Sequence, residues 1–302
     1  MLRSQPRPMR ATVRRWAQQA YYGRLATLKW VFGRRPEFYY DFLGVRTRIS
    51  YVPLPPWAHG HRFGIPQPGE HFLHSREEWL GLLTAVKEAS QQMVAVELGA
   101  GWGPWLVAAH AAARNRGIQD IHLIGVEGCK EHADWMRQHF IDNGISPERH
   151  TLVHGAIGPR DGIAWFPDID PLTNWGQPVH YHPTPNMHTL TCMSLPTLLH
   201  DHSRVDLIHC DIQGGESEVM SAAIDTLNAK VRRIVVATHS PVHDGTVLAL
   251  FRTNGWTLEA WDPWVVPERD VAQRDGTQVW SNPRVPVARG ARAWAALLRK
   301  RG

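Results

Sequence analysis

Met93-Val94-Ala95-Val96-Glu97-Leu98-Gly99-Ala100-Gly101-Trp102-Gly103-Pro104, followed by an alanine-rich run to Arg116, is the stretch whose reading decides the fold. An apolar strand pattern ends in a carboxylate. A glycine-rich turn follows, and Pro104 stands where a helix tolerates proline, at its first position. Gly99 and Gly101 give the backbone freedom for a tight turn and for close approach to a ligand. The stretch therefore predicts a strand, a ligand cradle and a helix. A dinucleotide fingerprint, Gly-x-Gly-x-x-Gly, would need glycine at 104, and the Pro104 ring cannot replace the close helix-to-strand contact that glycine gives. A nicotinamide-dependent reaction thus ranks low.

The spacing Glu97-x-Gly99-x-Gly101-x-Gly103 resembles motif I of class I S-adenosylmethionine methyltransferases. The resemblance implies that Glu97 lies near the cationic methionine moiety of that cofactor. It also implies that the backbone of Gly99, Ala100, Gly101 and Trp102 surrounds the cofactor's carboxylate.

Outward from this turn, strand-like and helical segments alternate, which calls for parallel strands joined by right-handed crossovers. Strands are expected at 93–98, 121–126, 150–154, 205–210 and 232–238, and helices near 104–116, 130–143, 215–228 and 243–254. Ser75 and Glu78 form a capping box ahead of a helical pattern through Trp79, Leu80, Leu82, Leu83 and Val86. Trp256 to Trp261 and Thr277 to Trp280 read as an antiparallel pair. The fold class is α/β: a Rossmann-like, mostly parallel seven-stranded sheet with helices on both faces and an antiparallel terminal hairpin. Residues 1–70 read as a basic helical arm with short β pieces (Val45 to Tyr51) and a Pro/Gly-rich connection. Residues 71–283 form the cofactor-binding domain, and residues 284–302 a basic helical tail.

The second strand ends in Glu127-Gly128, beside the first strand end in a doubly wound sheet. A carboxylate there can accept both ribose hydroxyls of an adenosyl group. The third strand runs into Gly155-Ala156-Ile157-Gly158, small residues that either leave room for an adenine ring or simply make a turn. The fourth runs Val205-Asp206-Leu207-Ile208-His209-Cys210-Asp211-Ile212-Gln213-Gly214-Gly215-Glu216. Asp206, Asp211, Gly214 and Glu216 match the spacing Asp-Leu-x-Lys-x-Asp-x-Glu-Gly-x-Glu, so the chain resembles the FkbM-like methyltransferases over roughly residues 94–262. Asp142-Asn143-Gly144, Ser194-Leu195-Pro196 and Asn254-Gly255-Trp256 fit the same pattern. Two positions depart from it: His209 stands where the family usually has lysine, and Gln213 where it has glutamate.

What the resemblance implies is O-methylation of a hydroxyl, on a sugar, glycan or natural-product acceptor. An alcohol is a weak nucleophile, and a general base contributes typically ~10²–10⁴-fold. His239 and Asp211, at adjacent strand ends, are the candidates. His239 can equally be an ordinary hydrogen-bonded histidine, and Asp211 can orient the cofactor's amine or cap a helix. Asp211, Glu216 and His239 together also make a hard-to-borderline donor set for a divalent metal, although no paired carboxylate follows strand five. The expectation is no metal. The polar connection from 166 to 192, with His180, His182, His188 and Trp175, reads as a long acceptor-binding loop.

The formal charge of +5 is unevenly divided. Residues 1–36 carry nine basic residues and no acid, and residues 284–302 six and none, leaving 18 basic against 28 acidic residues between them, a net of −10. An acidic body is a poor nucleic-acid surface, so none is expected as a partner. The basic N-terminal run around Trp16, Tyr21, Leu25 and Trp30 suits contact with anionic lipid or a second subunit, or a helical arm packed on its own domain. A transit peptide fits less well, because the run is poor in serine. Three cysteines without Cys-x-x-Cys spacing fit a reduced, cytoplasmic compartment. A non-catalytic protein that binds S-adenosylmethionine or a nucleotide and docks through its basic ends is the alternative from another class.

Overall fold

The computed structural model describes residues 35–51, 59–60, 75–265 and 275–287. The basic arm around Trp16 to Trp30, most of the Pro/Gly-rich connection and the basic tail from 288 onward lie outside the described residues.

A short hairpin, β1 (Phe38–Tyr40) and β2 (Arg46–Arg48), precedes helix α1 (Arg76–Glu88). The capping box at the head of α1 is complete: Ser75 Oγ accepts from the Glu78 N–H, and the Glu78 carboxylate accepts from the Ser75 N–H. Strand β3 (Gln92–Leu98) leads through the glycine turn into α2 (Pro104–Asn115). Next come β4 (Asp120–Glu127), α3 (Lys130–Asp142) and β5 (His150–His154). After an inserted segment come α4 (Leu195–Leu198), β9 (Leu207–Cys210), α5 (Glu216–Ala222), α6 (Ile224–Lys230), β10 (Arg233–Thr238) and α7 (Pro241–Thr253). The hairpin β11 (Thr257–Asp262) and β12 (Gly276–Ser281) closes the sheet.

The seven strands lie in the order β11-β12-β10-β9-β3-β4-β5. Strands β10, β9, β3, β4 and β5 are mutually parallel, and β12 runs antiparallel between β10 and β11. Alternation along each strand divides the core between the two faces. Ala95, Leu123, Leu207, Val235 and Val279 pack under α1, α2 and α3. Val96, Ile124, Ile208, Val236 and Trp280 pack under α4 to α7. Both faces are thus dry, as a parallel sheet requires. Truncating a fully buried member such as Ile208 to alanine removes about 2–5 kcal/mol of stability. Among the described residues no helix is long and apolar enough to cross a membrane.

Three expectations need correction. The helix expected at 215–228 is two seven-residue helices, α5 and α6, broken at Ala223, whose φ of −102° and ψ of 7° leave the helical basin. Neither proline nor glycine marks that break. The connection 166–192 is not one loop. Its ends belong to a second sheet, β6 (Ala156–Gly158), β8 (Met187–Ser194) and β7 (Gly162–Pro167), in the order β6-β8-β7. Leu190 and Cys192 alternate with Thr189 and Thr191, a period of two that is legible in the sequence. Lastly, α7 begins at Pro241, two residues early, because Ser240 accepts from the His243 N–H and caps it.

The first hairpin is fastened to α3. Arg48 grips Asp142 with two hydrogen bonds, 2.6 and 2.9 Å, and Asn143 exchanges bonds with the Arg46 backbone in both directions. His139, fully buried on α3, joins the Thr47 hydroxyl (3.2 Å) to the Trp102 carbonyl (3.0 Å). Because a carbonyl only accepts, Nδ1 of His139 carries the hydrogen. This contact ties the N-terminal hairpin to the glycine turn.

Candidate functional site

At the C-terminal ends of β3, β4 and β9 a cavity of about 450 Å³ opens, within the size range of small-molecule sites. Glu97, Gly99, Ala100, Gly101, Trp102, Glu127, Gly128, Gly155, Ala156 and Asp211 all line it, so every residue expected to hold the cofactor is brought to one place. Three left-handed glycines, Gly99 (φ 71°), Gly101 (φ 53°) and Gly103 (φ 70°), shape the turn. At Gly99 a side chain is impossible, since a Cβ would lie 1.8 Å from the Asp211 carbonyl oxygen. At Gly101 a Cβ would meet only the Trp175 ring, at 3.9 Å.

Glu127 accepts from the Gly101 N–H and the Cys129 N–H, both at 2.7 Å. Two of its roughly four lone-pair positions are used this way, and the remainder are available to a ligand. Burial raises its pKa, against the pull of those two N–H donors. Glu97 is turned toward α2, whose Leu106 N–H it meets at 3.0 Å and whose Trp105 N–H it meets at 3.4 Å. Burial pushes its pKa well above the usual range despite those contacts. It serves the head of α2 while lining the cavity. Gly155 has a packing reason beyond ligand clearance: a Cβ there would lie 2.8 Å from the Thr191 carbonyl oxygen on β8.

An aromatic wall closes the side next to Glu127. Trp175 stacks on His132 (4.2 Å, 4° between planes) and meets Trp102 edge to face at 5.0 Å. His132 in turn contacts the Pro171 carbonyl at 2.9 Å, which holds the inserted segment down. The buried indole Nε1 of Trp102 has no partner. A buried donor without an acceptor costs about 1–3 kcal/mol, and a ligand oxygen relieves that cost.

Beyond Asp211 lies a charged cluster. His239 Nε2 is 3.1 Å from Asp211 Oδ1 and 3.8 Å from Asp275 Oδ2, and His239 Nδ1 is 3.0 Å from Glu216 Oε1. The distances are those of ion pairs, yet neither ring nitrogen has the in-line geometry of a hydrogen bond. Burial alone would lower the pKa of His239. The nearby carboxylates of Asp211 and Glu216 outweigh it and raise it to about 10. Burial of Asp211 is likewise outweighed, chiefly by His239, and its pKa is lowered. Asp275 is raised, first by burial. Glu216 is fully buried and accepts from the Ile212 and Gly214 N–H groups. The expected trio of Asp211, Glu216 and His239 therefore meets in space, from two separate segments, the turn after β9 and the end of β10.

The two departures from the family pattern gain physical reasons. Gln213, in a left-handed conformation (φ 59°), donates its amide to Asp211 Oδ1 at 2.7 Å, where a glutamate would set like charges together. His209 is buried, with Nε2 2.9 Å from Glu78 Oε1 and its ring 5.1 Å from that of Trp105. Asp206 accepts from the Val94 N–H and from Arg204, which anchors the entry of β9 on β3. Sequence reasoning named Trp175 but missed Glu78, His132 and Asp275 as cavity residues. Only Glu78 carried a signal, its capping box, and that signal spoke of a helix end. His180 and His182 stand edge to face at 5.9 Å, and among the described residues they join no metal-type cluster.

Strand order and strand-end carboxylates together define a Rossmann-like methyltransferase fold. The profile of the methyltransferase FkbM domain matches residues 97–281. A protein of Jannaschia sp. (strain CCS1) that carries a methyltransferase name is 32% identical over 261 residues, covering 82% of this chain and 92% of its own. The chain belongs to the FkbM methyltransferase family. Among solved structures, the FkbM methyltransferase of Methylobacillus flagellatus aligns with a TM-score of 0.44 at 12% identity, over 64% of this chain and 44% of that one. A precorrin-6y C5,15-methyltransferase of Geobacter metallireducens aligns at 0.41 and 11% identity, over 71% and 92%.

Family membership implies S-adenosylmethionine as the methyl donor, and the cavity fits it. The carboxylate at the end of β4 suits a pair of ribose hydroxyls. The open turn at Gly101, the orphaned Trp102 indole N–H and the flat His132–Trp175 wall suit a polar ligand with a planar base.

Proposed function

We propose that the protein transfers a methyl group from S-adenosylmethionine to a hydroxyl of a sugar, glycan or natural-product acceptor. The observation that carries this reading is the adjacency of the Glu97–Glu127 cavity to the Asp211–His239–Glu216 cluster, through the shared residue Asp211. When bound, the cofactor supplies an electrophilic sulfonium methyl. The turn at Gly99–Gly101 and Glu127 hold it by backbone and ribose contacts, and Trp102 and Trp175 exclude water. In-line placement of the acceptor oxygen supplies most of the acceleration. Both His239 nitrogens face carboxylate oxygens, so neither is left free for the acceptor. The carboxylate of Asp211, which lines the cavity, takes the hydroxyl proton, and His239 positions it.

Calorimetric titration with S-adenosylhomocysteine tests the cofactor: one molecule is expected per chain, and no binding at millimolar ligand overturns the reading. His239→Ala is expected to lower turnover at least tenfold with cofactor affinity near normal, and Asp211→Asn to lower it further. Unchanged turnover in both would remove the cluster from the reaction. Cofactor binding without methylated product from any hydroxyl acceptor would favour a non-catalytic binding protein instead.

A further inference from the structure

The cluster beyond the cavity has more negative charge than its protein partners balance. Asp211, Glu216 and Asp275 face the imidazoles of His239 and His243, and among the described residues no lysine or arginine pairs with any of the three. A buried carboxylate without a matching cation is costly, and Glu216 has no exposed surface at all. The ring nitrogens of His239 stand close to carboxylate oxygens and yet make no hydrogen bond of good geometry to either. His243 Nδ1, also without a hydrogen-bond partner, lies 3.9 Å from Glu216 Oε2.

We infer that Asp211, Glu216 and His239 bind a divalent cation of the magnesium or manganese class, with Asp275 within reach as a further oxygen ligand. One donor atom from each of the three lies within 4.8 Å of the others. Metal–ligand bonds of ~2.1 Å at right angles put neighbouring donors about 3 Å apart, as His239 Nδ1 and Glu216 Oε1 are at 3.0 Å, and Asp211 Oδ1, which stands beside Nε2, would have to turn toward the same ring nitrogen to complete the set. The ligands are already oriented from behind. The Ile212 and Gly214 N–H groups fix Glu216, and the Gln213 amide fixes Asp211, the outer contacts that hold ligands in place in metal sites. Carboxylates with a single imidazole select a hard-to-borderline ion over a thiolate-seeking one. The position of Asp211 on the cavity wall would set the cation where the acceptor hydroxyl enters, where it would lower the pKa of that hydroxyl and ease the passage of its proton to the Asp211 oxygen not bound to the ion. This consequence rests on the methyl-transfer reading, whereas the binding itself does not.

The test uses the full chain, stripped with chelator, and titrated with manganese(II) while the free-ion electron paramagnetic resonance signal is followed. One ion per chain is expected at micromolar affinity, and pulsed measurement should show coupling to one histidine ¹⁴N. Asp211→Asn and His239→Gln should each weaken binding at least tenfold, with melting in chelator kept close to normal. Absence of uptake up to millimolar manganese, or uptake without ¹⁴N coupling, overturns the inference and needs no variant that folds. Because S-adenosylhomocysteine binding is measured without metal, failure there would sink the methyl-transfer reading and leave the metal count standing. Normal cofactor binding without manganese uptake would sink the metal alone.

Discussion

Gly99 and Asp211 interlock: the backbone of the glycine turn after β3 passes so close to the carbonyl of Asp211 that a Cβ on Gly99 would lie 1.8 Å from that oxygen. The Asp211 N–H donates to the Leu98 carbonyl at 2.9 Å, so the two strand ends are joined on both sides of the contact. Cofactor cradle and charged cluster are one backbone unit.

Gly99→Ala is therefore expected to lower S-adenosylhomocysteine affinity at least tenfold and to destabilise the fold by more than ~3 kcal/mol. Gly117 separates clash from conformation, since it too has a left-handed φ (92°) but nothing within 4 Å of a Cβ. Gly117→Ala should lose only about 1 kcal/mol in denaturant unfolding and keep its cofactor. Equal losses at both sites would mean that the contact with Asp211 is irrelevant.

Replacing Glu127 by alanine removes the acceptor for the Gly101 and Cys129 N–H groups together with the proposed ribose contact. Calorimetry should show affinity for S-adenosylhomocysteine reduced at least tenfold. Glu127→Gln, which retains one acceptor oxygen, should fall between. A variant that binds as tightly as the parent would show that the ribose is held elsewhere.

The Glu78–His209 pair is buried, so removing one partner strands the other. His209→Leu leaves the Glu78 carboxylate unpaired and is expected to cost about 3–5 kcal/mol. His209→Lys, which restores the residue usual at this position, keeps an N–H donor for Glu78 and should cost much less. Urea unfolding of both variants decides this. A His209→Lys loss as large as that of His209→Leu would show that ring packing on Trp105 matters more than the pair.

Burial lowers the pKa of His139 from 6.5 to about 4, against the opposing bond to the Trp102 carbonyl. The unfolded chain therefore takes up this proton first as pH falls. The stability that neutral His139 confers is complete above about pH 6.5, is lost progressively down to about pH 4, and changes no further below. The full difference is on the order of 3 kcal/mol. His139→Gln, which keeps a donor for the carbonyl but does not titrate, should show a shallower decline in unfolding free energy across that window. Parallel curves would place the acid sensitivity in other groups.

Much of this architecture is written locally. The run from Met93 to Pro104, the strand-end acids at 97, 127 and 211, and the alternation of apolar and glycine-rich segments depend on neighbours within a few residues. They determined the sheet, its helices and the cofactor side of the cavity. The break at Ala223 and the small sheet of β6, β7 and β8 were harder to read. A helix broken without proline or glycine leaves no local mark, and Thr189 and Thr191 look like loop residues until Leu190 and Cys192 find a core.

What only the tertiary structure decided is who shares charge with whom. Glu78 meets His209 across 131 positions, and Trp175 reaches His132 from an inserted segment. His239 comes to rest between Asp211 and Glu216, from the turn after β9, and Asp275, from the residue before β12. The type of each residue is local, and its desolvation and its partners are not, because Coulomb interactions and burial depend on distance in space. For that reason the sequence by itself determined a methyltransferase cradle, and the folded chain alone determined the environment of its acids and histidines.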